Sequence, residues 1–232
     1  MIKGVLLDLD GTLIDFRDVE LEVENSLCEE LGKKHGIDPR LLFHLLINTR
    51  MKHRHASSRP IDNSRRVWFK EIFELLGIKN EDLEELEKRY WKMINSNIKE
   101  FPGAREVIKK LREKGLKIGI ITDSDGAPEF KDERIRKFGF HELVDFVLKS
   151  DEVGYNKPSP IIFEKALEKL GLKPEEVLVV GDDAPRDLST PKSMGMRTVW
   201  INHGGKSIDG NYIDYEIRNI QELIEIIEKL DP

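Results

Sequence analysis

This 232-residue sequence predicts an α/β fold, a parallel sheet covered by helices on both faces, with an all-helical domain inserted after the first strand. Three observations predict it. From Phe101 onward, short apolar runs alternate with amphipathic segments, which is the pattern of βαβ units. Residues 15–98 hold no convincing strand, and their apolar positions recur at helical spacing, as at Leu83, Leu86, Tyr90 and Met93. Finally, the first apolar run, Ile2 to Leu7, stops abruptly in Asp8-Leu9-Asp10-Gly11-Thr12-Leu13. A buried strand tolerates aspartate only where it leaves the sheet, because an unpaired buried carboxylate is very costly. The chain therefore divides into a core of residues 1–14 and 99–232 and a cap of residues 15–98.

Within the insert, helices are predicted over Val19–His35, Pro39 to about Lys52, Val67–Leu76 and Glu81–Ile94. Breaks fall at Gly36-Ile37-Asp38-Pro39, Ser57 to Ile61 and Gly77 to Asn80. After Phe101-Pro102-Gly103, a helix over Ala104–Lys114 stops at Gly115, and a strand over Leu116–Ile121 runs into Thr122-Asp123. A helix from about Lys131 to Phe138 leads to a short strand at Val144–Leu148. The helix Pro160–Leu170 precedes a strand over Val177–Val180 that ends in Gly181-Asp182-Asp183. A helix over Arg186–Met194, which Pro191 should kink or break, leads to the strand Arg197–Ile201. An edge strand at Tyr215–Ile217 and an amphipathic helix over Ile220–Leu230 close the chain.

Charged residues make up 35% of the sequence, yet the net charge is −6, so acids and bases are mixed and no basic footprint for nucleic acid or membrane emerges. Cys28, the single cysteine, excludes an internal disulfide and reads as a buried helix residue. No apolar stretch approaches the roughly 18 residues of a membrane span. With no basic leader before the first strand, the expectation is a cytoplasmic protein. One glutamine against abundant Lys and Glu is a bias seen in proteins of hot environments.

Right-handed crossovers bring every strand's C-terminal end to one edge of the sheet. The residues that collect there are Asp8 and Asp10, Thr122 and Asp123, Lys157, and Asp182 and Asp183. Such carboxylates suit Mg²⁺, which takes oxygen ligands and often bridges to phosphate. Lys157 and Thr122 suit a phosphoryl group. With its charge suppressed, an aspartate can act as a nucleophile and form an acyl phosphate. Each residue has a plainer reading: Asp8 a turn cap, Asp182 or Asp187 a helix cap, Lys157 a solvated lysine. Their coincidence at four strand ends favours chemistry.

The motifs carry a resemblance over nearly all of the chain outside the cap. Asp8-Leu9-Asp10-Gly11-Thr12-Leu13 is similar to the DxDGT motif of the haloacid dehalogenase (HAD) superfamily. Thr122, Lys157-Pro158 and Gly181-Asp182-Asp183 with Asp187 fall on its second, third and fourth motifs. The resemblance implies a Rossmann-like core (the HAD fold) with a type-1 helical cap, and a phosphatase. It implies that Asp8 is the nucleophile and a metal ligand, and that Asp10 is the acid and base whose backbone carbonyl also ligates the metal. Thr122, the Asp123 amide and Lys157 would hold or neutralise the phosphoryl group. Asp182 would complete the Mg²⁺ site, with Asp183 sharing that task. Asp187 would orient the others or Lys157. The turn from Gly11 to Phe16 would be a mobile flap. Dehalogenases of the superfamily lack the second aspartate, so Asp10 points to phosphate chemistry. Two departures stand out: Thr190-Pro191 replaces a small Gly-Ala pair, and Arg186 stands where many relatives have Asn.

The implied partner is a small phosphorylated metabolite, a sugar phosphate or phosphorylated carboxylic acid, chosen by the cap. Arg50, Lys52, His53, Arg54, His55, Arg59, Arg65 and Arg66 form a basic cluster there. Either it binds substrate, with His53 and Arg54 as the chosen contacts, or it is a solvated face balanced by Glu-rich helices. Trp68, Phe69 and Phe73 read as cap core. A phosphosugar mutase and a non-catalytic binding protein are the alternative functions. No heptad seam demands an oligomer, which leaves monomer or homodimer.

Overall fold

The computed structural model describes residues 1–56, 59–205, 207, 208 and 210–230. In chain order the elements are β1 (Gly4–Leu7), β2 (Ile14–Asp15), α1 (Arg17–His35), α2 (Pro39–Ala56), α3 (Arg65–Leu76), α4 (Leu83–Asn97) and β3 (Lys99–Glu100). There follow α5 (Ala104–Glu113), β4 (Lys117–Thr122), α6 (Pro128–Phe138), β5 (Phe146–Lys149), α7 (Ser150–Val153), α8 (Pro160–Leu170) and β6 (Val177–Gly181). The chain ends in α9 (Ala184–Asp187), α10 (Ser189–Ser193), β7 (Arg197–Ile201), β8 (Tyr215–Ile217) and α11 (Leu223–Leu230).

Six strands form one parallel sheet in the order β5-β4-β1-β6-β7-β8. The chain builds outward from β1 to β4 and β5, then returns to β1's other side for β6, β7 and β8. That reversal makes the C-terminal end of β1 a topological switch point, where open α/β sheets bind ligands. Val5, Leu6 and Leu7 are fully buried, as a strand covered on both faces requires. Leu6 joins Ile121, Leu148, Val179 and the inner face of α8 (Ile162, Phe163, Ala166) in the main apolar cluster.

The chain divides into two compact units. One comprises Met1–Asp15, Lys99–Asp123 and Ile135–Pro232; the other comprises Phe16–Ile98 and Ser124–Arg134. The sequence assigns all of 99–232 to the core, but Ser124–Arg134 groups with the helices instead. Its side chains explain why. The Arg134 guanidinium lies 4.6 Å above the Phe16 ring and 5.1 Å from Trp91. Asn63 Nδ2 donates to the Ser124 carbonyl (3.1 Å), and Asn95 Nδ2 to the Phe130 carbonyl (3.1 Å). These contacts join residues distant in sequence, so no local pattern announces them.

Two smaller differences are local. Residues 15 and 99 lie in a two-stranded antiparallel pair, with Ile14 opposite Glu100 and Asp15 opposite Lys99. Strands this short carry no periodicity to read. The single helix expected over Arg186–Met194 is two, α9 and α10, broken at Leu188. Pro191 has no N–H for the Asp187 carbonyl and its ring would meet that oxygen, so the helix restarts before it.

In the helical unit the basic cluster neither faces outward as a whole nor stays free. Arg50 pairs with Glu20 (2.8 Å) and Glu24 (3.0 Å), and the buried Arg65 with Glu20 (2.7 Å). Lys52 pairs with Glu71, Arg59 with Asp62 and Arg66 with Glu87. The side chain of His55 lies outside the described ones. Cys28, Trp68, Phe69 and Phe73 are buried.

Candidate active site

The site is made by three neighbouring strands ending together. Leu7 is level with Ile120 of β4 and Val180 of β6, and the Asp8 amide extends the ladder by donating to the Val180 carbonyl (2.9 Å). Asp8, Thr122 and Asp182 therefore leave the sheet at one edge. Lys157 arrives on the loop after α7. Its ammonium lies 2.6 Å from Asp8 Oδ1 and 2.8 Å from Asp187 Oδ1, and its backbone N–H donates to Asp123 Oδ1 (2.8 Å). Asp123 Oδ2 also accepts from Arg186 Nη2.

Among the described residues, carboxylate oxygens of Asp8, Asp182 and Asp187 lie within 4.8 Å of one another. Two glycines admit this crowding. A Cβ on Gly11, at φ +96°, would sit 2.5 Å from the Asp182 carboxylate, and one on Gly181 would collide with Asp187. Trp200 Nε1 donates to the Asp182 carbonyl (2.9 Å). His203 Nε2 lies 2.9 Å from the Gly11 carbonyl and so carries the proton; its ring stacks on Phe101 at 4.5 Å.

Asp10 stands half-buried on the tight turn after β1, bridged to Ile14. Asp187 meets Lys157, as the resemblance implies, and its carboxylate also joins Asp8 and Asp182. The Asp183 carboxylate is not in the converging trio, and its backbone N–H donates to Asp187 Oδ2 (3.0 Å). Asp183 opens α9, and one turn of helix swings Asp187 back over Gly181 and onto Lys157. Alternation along a strand cannot forecast a side chain returned by a helical turn.

Electrostatics follow from burial. Burial pushes the Asp8 carboxyl up, and the Lys157 ammonium only partly offsets it. Burial pushes Asp187 to about 7, with Lys157 opposing and Asp8 and Asp183 adding to the rise. Burial also disfavours the Lys157 ammonium, but Asp187, Asp8 and Asp123 outweigh it and hold the charge firmly. The carboxylates of Asp8, Asp123, Asp182 and Asp187 outnumber the charges of Lys157 and Arg186 and leave a negative surplus. An all-oxygen donor set of this kind fits a hard divalent cation such as Mg²⁺.

The two chosen cap contacts fare differently. His53 Nε2 lies 3.0 Å from Glu71 and its ring stacks on Trp68 at 6.4 Å, so it is engaged within its own unit. Arg54 is half-buried and its charge acts on Glu20 and Glu24. Sequence reasoning missed the work of the Asp123 carboxylate and of Arg186. The signal available was a cation set between Asp183 and Asp187, where a surface arginine would serve no purpose.

A parallel sheet with paired aspartates after its first strand and a lysine–aspartate pair beside them defines a class. Residues 5–201 match the model of the haloacid dehalogenase-like hydrolase family, and the chain belongs to that family. Glyceraldehyde 3-phosphate phosphatase of Pyrococcus abyssi is 31% identical over 239 residues, covering 98% of this chain and 94% of its own. Its counterpart in Pyrococcus furiosus is 29% identical over 252 residues with the same coverage. Among solved structures, a HAD phosphatase from Thermococcus onnurineus matches with a TM-score of 0.73 at 29% identity, covering 97% of this chain and 98% of that one.

Proposed function

We propose that the protein is a Mg²⁺-dependent phosphatase that hydrolyses a small phosphomonoester, a sugar phosphate first among them, through an aspartyl-phosphate on Asp8. The observation that carries this is the convergence of the Asp8, Asp182 and Asp187 carboxylates, with Lys157 paired to Asp8 and Asp187, at one edge of the sheet. The names of the full-length relatives support the reaction and the substrate class.

In this reading Asp8 Oδ attacks phosphorus and displaces the alcohol oxygen, which takes a proton from Asp10. Asp10, now a carboxylate, removes a proton from water; the water oxygen attacks the same phosphorus and frees Asp8 and inorganic phosphate. Lys157 neutralises Asp8 and lets it approach a phosphoryl dianion. Thr122 and the Asp123 amide donate to phosphoryl oxygens. Asp8, Asp182, the Asp10 carbonyl and the adjacent Asp187 would hold the cation, which when bound supplies charge stabilisation for the phosphoryl oxygens. His53 and Arg54 are the proposed contribution of the helical unit to leaving-group choice.

A panel of phosphorylated metabolites, assayed with Mg²⁺ and with chelator, tests the reading. Phosphate release that requires the cation and disappears in Asp8→Asn is the expected result. Unchanged turnover in Asp8→Asn would reject the mechanism, and isomer interconversion without release, followed by phosphorus NMR, would replace it with a mutase.

A further inference from the structure

We propose that Arg186 is a positioning residue for phosphoryl binding: through the Asp123 carboxylate it holds the backbone of Lys157 in place, and it supplies the site's second positive charge. This rests on the phosphatase reading above.

One carboxylate ties three segments together. Asp123 follows β4; its Oδ2 accepts from Arg186 on α9 and its Oδ1 from the backbone N–H of Lys157 on the loop after α7. The Arg186 and Asp123 side chains are 15% and 16% exposed, too buried for solvent to screen the pair strongly. Asp123, Asp183, Asp187 and Asp8 all act electrostatically on the guanidinium, so its charge bears on the reacting carboxylates. Its Nε is buried with no hydrogen-bond partner.

The charge has effects of opposite sign on the two ligands. Removing it makes the site more negative, which weakens an anion and favours a divalent cation; a merely structural lesion weakens both. Calorimetric titration with inorganic phosphate in the presence of Mg²⁺, and with Mg²⁺ alone, separates these. For Arg186→Met we expect phosphate affinity to fall about ten- to a hundredfold, the scale of one charge-assisted hydrogen bond, with Mg²⁺ affinity unchanged or tighter. Arg186→Lys should recover part of the loss, keeping charge without the planar fork. Asp123→Asn, which cuts the tie and keeps the arginine, should also weaken phosphate, and the double variant should be no weaker than Arg186→Met.

Phosphate affinity within about twofold of wild type in Arg186→Met overturns the proposal. So does a parallel loss of Mg²⁺, or a wild type that binds no phosphate. A wild type that binds phosphate yet turns over no aryl phosphate defeats the phosphatase reading alone, and the affinity comparison still decides the role of Arg186.

Discussion

Each unit of the molecule buries a cluster of charges, and the two clusters are balanced differently. In the helical unit, Glu20 and Glu24 sit one turn apart on α1. Glu20 accepts from Arg50, Arg65 and the Tyr90 hydroxyl, and both oxygens of Glu24 accept from Arg50. The Arg65 guanidinium also lies over the rings of Trp68 (4.1 Å), Trp91 (4.4 Å) and Tyr90 (4.8 Å). Each acid has a guanidinium against it, and the Arg54 charge acts on both acids as well. In the core, the carboxylates of Asp8, Asp182 and Asp187 converge, and Lys157 pairs with Asp8 and Asp187. With Asp123 and Arg186 counted, four carboxylates face two cations, a surplus of two negative charges. A charge-matched buried network suits a fold, whereas surplus charge at a strand-end crevice suits a ligand.

The contrast can be broken from either side. Asp8→Asn should reduce turnover of an aryl phosphate by at least about 10⁴-fold, the scale on which enzymes lose activity with their nucleophile, while circular dichroism stays native. Lys157→Ala strands Asp8 and Asp187, and Arg65→Met strands Glu20. Each should destabilise by about 3–5 kcal/mol in chelator, measured by urea unfolding. The comparison lies in the rescue: added Mg²⁺ should restore part of the loss in Lys157→Ala and none in Arg65→Met. Equal rescue, or none in either, would erase the distinction between the clusters. In the wild type, saturating Mg²⁺ should raise the melting temperature by a linkage term of about 3 kcal/mol at a hundredfold excess over Kd, and Asp182→Asn should abolish that shift.

The smallest effect is a pH slope in the helical unit. Burial, and then Glu20, push Glu24 up to about 7, against the pull of Arg50. The folded state therefore holds this proton more tightly than the unfolded chain does. Stability should fall as pH rises from the ordinary glutamate range near 4 through about 7, and the cost, on the order of 3 kcal/mol, is complete above that. Glu24→Gln should flatten the slope between about pH 5 and about pH 8 in thermal melts. A wild-type profile that rises over that window would reverse the sign and refute it.

The residues that gather at the sheet edge were legible because they stand at short local spacings: Asp8 and Asp10 two apart, Thr122 at a strand end, Asp182 beside Asp183 with Asp187 four further on. Pro191 announced a helix break, though the break falls three residues earlier, at Leu188, because the clash is with the preceding turn. What was not legible depended on pairing across the chain. Arg50 and Arg65 read as part of a basic surface because nothing local says that Glu20 and Glu24 face them. Ser124–Arg134 read as core because its anchors, Phe16, Asn63, Trp91 and Asn95, lie 29 or more residues away in sequence.

The sequence by itself determined the parallel α/β core, the helical insert and the set of acids and lysine at the strand ends, since hydrophobic period and residue chemistry are local properties. Only the tertiary structure decided that Asp187 joins the acidic trio while Asp183 turns its amide to it, and that Asp123 spans Arg186 and Lys157. Those assignments depend on which side chains a helical turn or a loop returns to a common point in space, and distance in space is not encoded in the spacing of any one segment.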